Sequence, residues 1–390
     1  MAEKRKIAVV ITSRASYARV KSVLRSLQKK DGVELIVIGA GSLLLEKYGE
    51  AVRIIEEEGI SITEKVYMVV EGENPTTMAK TVGIGIIELA TIFDNYRPDI
   101  VITVADRFET IATAIAASYL NIPVAHIQGG EITGSIDEKV RHAVTKLSSL
   151  HFVANEHAAR RVKMMGENPQ FIFTTGCPSI DLANEVMKNP SLNIEEFYSK
   201  YRGVGTPVDL NKDFIVIMQH PDTTEYDSAF EQMKETLEAI YELRIPTILF
   251  WPNMDAGSDK VSKAIRIFRE NYNSDFIFFL KNIDPENFLR LLIHSKCIVG
   301  NSSVGIRECS FLGVPAVNIG LRQNGRERGG NIIDVNYNKQ EIIKAVETHF
   351  KNGSKYESSH LYGDGKAGER IATILAKEKL PVKKSFMENF

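Results

Sequence analysis

Polar residues able to do chemistry recur at one kind of position, directly after short β-branched apolar runs. Arg14 follows residues 7–11 in "ITSRASY", Asp106 and Arg107 follow 100–104 in "ITVADRFE", and Gln128 to Glu131 follow 124–127 in "AHIQGGE". Further on, His220 follows 214–218 in "VIMQHP", Asn253 follows 247–250 in "LFWPNMDAGS", and Asn301, Ser302 and Ser303 follow 297–299 in "VGNSSVGIRE". The three arginines Arg14, Arg107 and Arg322 each follow a run of this kind. Together they suit one anionic ligand, since a guanidinium fork donates two hydrogen bonds at once to a diphosphate. Gly300 to Ser303 read as a strand-to-helix turn whose N–H groups and hydroxyls can cradle phosphate. Glu308, inside the following helix, has two oxygens to offer a ribose diol. The stretch is not a Walker A loop, because no Gly-Lys-Ser/Thr follows, and it lacks GxGxxG.

The acids suggest proton transfer. Asp106 and Glu131 end runs that should be neighbouring strands, close enough for one carboxylate to raise the pKa of the other and form an acid/base pair. Asp137 opens the helical stretch "SIDEKVRHAVTKLS". Plainer roles compete: Asp106 can cap the next helix, and Ser135 to Glu138 fit the capping-box pattern S-x-x-E. Pro221 after His220 fixes the chain direction and would aim the ring at a ligand.

The elements that must position these side chains are legible as a series. Apolar runs at 7–11, 33–38, 100–104, 124–127, 152–154 and 171–174 alternate with amphipathic stretches of helical length, the pattern of strands buried on both faces. One helix spans the stretch from Thr76 or Thr77 as cap to Arg97-Pro98 as stop, with Gly83 and Gly85 inside it explained by close packing. After a looser charged stretch at 188–213 a second series follows, at 214–218, 247–250, 276–280, 297–299, 316–319 and 332–335. Two doubly wound parallel sheets are expected, with a cleft between them faced by the carboxyl ends of both strand sets. The tail "KKSFMENF" reads as a loosely held end.

Composition agrees with an enzyme-sized α/β protein. The 390 residues carry 48 Lys and Arg against 50 Asp and Glu, too balanced for a dedicated nucleic-acid binder. Three cysteines with no CxxC spacing read as reduced buried thiols, which places the chain in the cytoplasm. No apolar run approaches the roughly 20 residues of a membrane span, and no metal-ligand cluster or cofactor motif is visible.

In this order along the chain, "SRASY", "DRFET", "HIQGGEITGSIDEKVRHAVTKLS", "TGCPSID", "QHPDTTE", "PNMDAGSDK", "GNSSVGIRECSFLGVPAVNIGLRQNGRERGGN" and "YGDGKAGERI" resemble the hydrolysing UDP-N-acetylglucosamine 2-epimerases. That family includes the bacterial sialic-acid pathway enzymes and the epimerase half of the bifunctional animal enzyme. The resemblance implies a GT-B fold of two Rossmann-like domains, at 1–176 and 177–365, with a C-terminal helix at about 366–390 packing back on the first. It implies a UDP-sugar substrate, UDP as product, no cofactor, and a homodimer or homotetramer. By resemblance, Arg14, Arg107 and His220 contact the diphosphate and Asn253 lies near uridine and pyrophosphate. Ile283 offers its main chain to uracil, Ser302 and Ser303 form the phosphate turn, Glu308 holds the ribose, and Arg322 is a further nucleotide contact. Asp106, Glu131 and Asp137 handle protons, and His220 joins them by stabilising the leaving charge.

Three departures qualify that picture. Gln128 stands where many relatives have Glu, so the base must be sought at Glu131 or Asp137. Ala18 replaces a serine of the animal enzyme, and Asp259 stands among replaced basic residues of its CMP-sialic acid feedback site, so no such inhibition is expected. Two other activities fit the same residues: hydrolysing epimerisation of UDP-2,4-diacetamido-trideoxyglucose in the legionaminic acid route, and GT-B glycosyl transfer. A non-catalytic sugar-nucleotide sensor would have no use for the three acids.

Overall fold

The computed structural model describes residues 4–388 apart from 50, 105, 354, 381 and 382. Seven strands form the first sheet: β1 (Arg5–Ile11), β2 (Val33–Ala40), β3 (Glu64–Val66), β4 (Ile100–Val104), β5 (Val124–Ile127), β6 (Leu150–Val153) and β7 (Ile172–Thr174). Six form the second: β8 (Ile215–Met218), β9 (Thr247–Phe250), β10 (Ile277–Leu280), β11 (Cys297–Gly300), β12 (Ala316–Ile319) and β13 (Ile332–Val335). Their orders are β3-β2-β1-β4-β5-β6-β7 and β10-β9-β8-β11-β12-β13. All ladder pairs are parallel, and β4, β8 and β11 are buried throughout because helices cover both faces. Every expected strand is present. Only β3 is additional, a three-residue edge piece, Glu-Lys-Val, with too few apolar residues to signal itself.

Both sheets reverse direction of growth at one point, between β1 and β4 and between β8 and β11. Those two switch points are where a doubly wound sheet opens a crevice, and they carry the polar strand ends singled out above. The result is the two-sheet GT-B architecture that the resemblance implied.

Local details correct three expectations. The helix Pro75–Tyr96 is capped by Asn74 in a capping box with Thr77, not by Thr76 or Thr77, and Arg97 ends it in the left-handed region. By length and composition that helix could cross a membrane, but here it is a crossover helix with Leu89 and Phe93 in the core. The C-terminal helix covers only Ala367–Lys377 and packs on the helix Lys21–Gln28. Asp181 accepts from the backbone N–H groups of Ala367 and Gly368 at 2.8 and 2.7 Å, and a Cβ at Gly368 would stand 2.5 Å from Ser22 Oγ. The described part of the tail is tied down, residues 389 and 390 lying outside the described residues: Lys384 donates to the carbonyls of Thr145 and Ser148 at the end of the helix Ile136–Leu147 and pairs with Glu167. All three cysteines are free and buried.

Candidate active site

A cavity of about 170 Å³ lies between the two sheets, walled by Arg14, Arg107, His220, Asn253, Ile283, Ser302, Ser303 and Glu308 together with Arg19 and Arg307. Its second-sheet wall is built from the end of β11. Gly300 has φ +139°, and a Cβ there would stand 2.2 Å from the Met218 carbonyl oxygen, so only glycine lets β11 turn beside β8. Asn301 then clamps the neighbouring strand: its Oδ1 accepts from His220 N at 2.8 Å and its Nδ2 donates to His220 O at 2.7 Å. This amide, beside Pro221, is what fixes His220. The ring's Nδ1 accepts from Asn253 N at 3.4 Å, leaving Nε2–H as the donor. Burial, reinforced by Arg322, Arg14 and Arg107, holds the His220 pKa well below its ordinary value, so the imidazole is neutral.

The helix after the turn is broken. Ser303–Ile306 ends at Arg307, whose backbone sits at φ −95° and ψ −69°, and Glu308 starts a second short helix, Glu308–Leu312. Glu308 therefore does not lie inside the helix that follows the turn but opens the next one. It remains buried on the cavity wall with Oε2 4.0 Å from Arg307 Nε and without a hydrogen bond, an acceptor placed for a ligand hydroxyl. A four-residue helix contributes little dipole, so anion affinity at this wall rests on guanidinium groups. Arg19 and Arg307 both donate to Ser303 Oγ, at 2.9 and 2.8 Å.

Arg14 reaches across from the first sheet to Asn282 Oδ1 at 2.8 Å, and burial with Arg107 lowers its pKa to about 10, so it stays charged at neutral pH. Arg107 is held by Glu109 at 2.7 Å and Asp255 at 3.1 Å. Asp255 also lies 3.6 Å from Arg322.

Asp106 and Glu131 do come together, as adjacent β4 and β5 dictate, and Asp106 does raise Glu131, but the net shift of each is the reverse of the expected one. Asp106 pairs with Arg19 at 3.1 Å, Arg141 at 2.5 Å and Arg326 at 3.4 Å, and Glu131 pairs with Arg307 at 3.1 Å and with Arg326. Burial by itself raises both carboxyls. Four guanidinium groups against two carboxylates outweigh it, holding Asp106 well below the usual carboxylate range and Glu131 below its own. Both oxygens of Asp106 are taken by arginines, so it caps no helix, whereas Glu131 Oε1 has no hydrogen-bond partner. Removing one partner from such a buried pair costs about 3–5 kcal/mol.

Asp137 is different. Ser135 caps its helix, but Glu138 turns away to Thr133 N, Arg141 and His142, so the capping box is incomplete. Asp137 is 3.4 Å from Arg322, its one ion-pair partner among the described residues. Burial and the charges of Asp106 and Asp255 raise it to about 7, against the opposing pull of Arg322 and Arg107.

Asp106, Glu131, Asp137 and Arg322 lie outside the cavity wall itself. Each reaches it through an arginine: Asp106 through Arg19, Glu131 through Arg307, and Asp137 and Arg322 through Asp255 and Arg107. Sequence reasoning missed Arg19, Arg141, Asp255, Arg307 and Arg326. Only Asp255 carried the strand-end signal. The arginines sit on helices or loops, where most arginines are solvated, yet Arg141, Arg307 and Arg326 are at most 4% exposed. Gln128 adopts φ +68°, an unusual conformation for a residue with a Cβ, at the tight turn before Glu131. Among the described residues no three His, Cys, Asp or Glu side chains are grouped to hold a metal ion.

Residues 25–376 match the family model described as UDP-N-acetylglucosamine 2-epimerase. The chain belongs to this family. It is 33% identical over 371 residues to the UDP-N,N'-diacetylbacillosamine 2-epimerase (hydrolyzing) of Legionella pneumophila, with 95% of each chain covered. It is 30% identical over 376 residues to the UDP-N-acetylglucosamine 2-epimerase of Neisseria meningitidis, again with 95% of each covered. In fold, the chain superposes on the Methanocaldococcus jannaschii UDP-GlcNAc 2-epimerase, crystallised with UDP-GlcNAc and UDP, with a TM-score of 0.77 at 22% identity. That match covers 95% of this chain and 99% of the other.

Proposed function

We propose that this 2-epimerase is hydrolysing, converting UDP-N-acetylglucosamine and water into N-acetylmannosamine and UDP. The observation that carries the reading is the pairing of an arginine-walled cavity with Asp137, a partly buried carboxyl linked to the wall through Arg322, Asp255 and Arg107 and raised to about 7. UDP lies along the second-sheet wall, with uracil at Ile283, the ribose diol on Glu308, and the diphosphate among Ser302, Ser303, Arg14, Arg107 and the Nε2–H of His220. The C2 proton of the sugar is not flanked by a carbonyl, so no carboxylate removes it from the ground state. Cleavage of the C1–O bond must first develop positive charge at C1, and the guanidinium groups stabilise the departing UDP oxygen. Asp137, ionised, then takes the C2 proton and a glycal forms. Water adds its hydroxyl at C1 and a proton returns to C2 from the opposite face, giving the manno configuration. Asp106 and Glu131 stay ionised and fix Arg19 and Arg307 at the wall.

The Legionella relative supports hydrolysis and favours a second substrate, UDP-2,4-diacetamido-trideoxyglucose, through the same steps. Turnover in deuterated water, followed by NMR, tests the main reading. It expects free N-acetylmannosamine with deuterium at C2, and UDP released in equal amount. A sugar still attached to UDP, or protium at C2, overturns it. Running both nucleotides side by side then separates the two substrates.

A further inference from the structure

The loop between β12 and β13, residues 320–331, touches both halves of the site. On the second-sheet side it holds the phosphate turn: Arg322 Nη1 donates to Asn301 O at 3.3 Å and Gln323 Nε2 to the same oxygen at 2.9 Å. Asn301 is the residue whose side chain clamps His220. Three residues further on, Arg326 reaches the acids of the first sheet, donating to Glu131 Oε2 and, at 3.4 Å, to Asp106 Oδ2. Gln323 and Arg326 are 1% and 4% exposed, and neither belongs to the cavity wall. Whatever they do for the reaction, they do through other residues.

The loop is braced within itself and keyed to the turn that carries Glu131. Arg328 donates to the carbonyls of Gln323 and Arg326 at 3.1 and 2.8 Å and pairs with Asp334 on β13 at 2.7 Å. Across the domain boundary Gly134 N donates to Arg322 O at 3.1 Å, and a Cβ at Gly134 would stand 2.0 Å from Leu321 O. Gly325, at φ +77°, lies against Ile132, whose Cγ2 a Cβ would approach to 2.8 Å. Arg161 adds a further tie, to Glu327 at 2.5 Å and to the carbonyl of Gly130 at 3.2 Å. Bond cleavage at C1 and proton removal at C2 act on adjacent carbons of one sugar, so the groups serving them must keep a fixed spacing, to within about 0.5 Å. One braced loop bonded to both sides supplies that spacing.

We propose that Gln323 and Arg326 are positioning residues, through which the loop 320–331 sets the phosphate turn and the acids Asp106 and Glu131 in one fixed arrangement. The proposal rests on the reading of the cavity and the acids given above. Its route runs from Asn301 through Gln323 and Arg326 to Glu131 and Asp106, and from these to Arg307 and Arg19 at the wall.

Steady-state kinetics on the full chain, beside calorimetric titration with UDP, test this. Arg326→Met should lower kcat about 10–100-fold with KM and UDP affinity nearly unchanged, and Arg326→Lys should recover part of the loss. Gln323→Leu, which removes only the bond to Asn301, should lower kcat by less, and should add nothing when combined with Arg326→Met. Gly134→Ala should mimic Arg326→Met with both side chains in place, because it obstructs the seat of Leu321. An unchanged kcat in Arg326→Met, a KM that rises in step with the loss, or fully additive effects of the two substitutions would each overturn the bridge. Should Arg326→Met no longer bind UDP, the same comparison between Arg326→Lys and Gln323→Leu decides. Rates are followed both as free sugar released and as deuterium entering C2. A wild type that exchanges C2 without releasing sugar would sink the hydrolysing reading alone, since the exchange rates of the variants still report on the loop.

Discussion

Two groups of carboxylates beside the same cavity, Asp106 and Glu131 fully buried and Asp137 partly so, are set to opposite protonation behaviour. Asp106 and Glu131 share four arginines, Arg19, Arg141, Arg307 and Arg326, and are held ionised. Asp137 has Arg322 at 3.4 Å, with Asp106 and Asp255 as negative neighbours, and is raised to about 7. Burial alone pushes all three upward. The number of guanidinium groups in reach decides which carboxyl still titrates near neutrality, and so which one is available to move a proton.

The most direct way to break this contrast is Asp137→Asn. With this near-neutral carboxyl removed, kcat should fall by about 10²–10⁴ while UDP affinity is retained, measured as turnover beside calorimetric titration with UDP. An unchanged kcat would remove Asp137 from the chemistry. The complementary change is Arg307→Met, which strips Glu131 and Ser303 of one partner. Loss of a buried ion-pair partner predicts destabilisation of about 3–5 kcal/mol, read from the urea midpoint, with activity falling as well. A midpoint shift well below that would mean the arginines are redundant.

The contrast also marks what the sequence made legible. Strand order and the strand-end rule located Arg14, Asp106, Arg107, His220, Asn253 and the Gly300 turn, because continuous apolar runs and short turns are local signals. The same rule paired Asp106 with Glu131 correctly through β4 and β5. It then assigned them the wrong electrostatics, since Arg141 comes from within a helix and Arg326 from a loop far along the chain. Burial of an arginine follows from tertiary packing and leaves no periodic trace. The break at Arg307 was equally silent, and the missed strand β3 is a charged edge of three residues.

A smaller effect sharpens the other wall. Glu308→Ala should weaken UDP binding about tenfold, the cost of one charge-assisted hydrogen bond, without shifting the pH dependence of turnover. Calorimetry on both proteins reads it, and equal affinities would take Glu308 off the ribose.

The smallest effect probes the coupling between the two groups of acids. If ionised Asp137 is the base, kcat rises with pH through an inflection near 7, set by burial first and by the charge of Asp106 second. Asp106→Asn removes that negative charge and frees part of the field of Arg19, Arg141 and Arg326, and both changes favour the ionised form of Asp137. The inflection should therefore move to lower pH, by about one unit if a single neighbouring charge is worth a little over 1 kcal/mol. The residual activity of the variant suffices to trace the profile, since only its midpoint is needed. A midpoint that stays in place would show that Asp106 and Asp137 do not sense each other, and a shift to higher pH would mean that Asp106 serves mainly to hold the arginines close to Asp137.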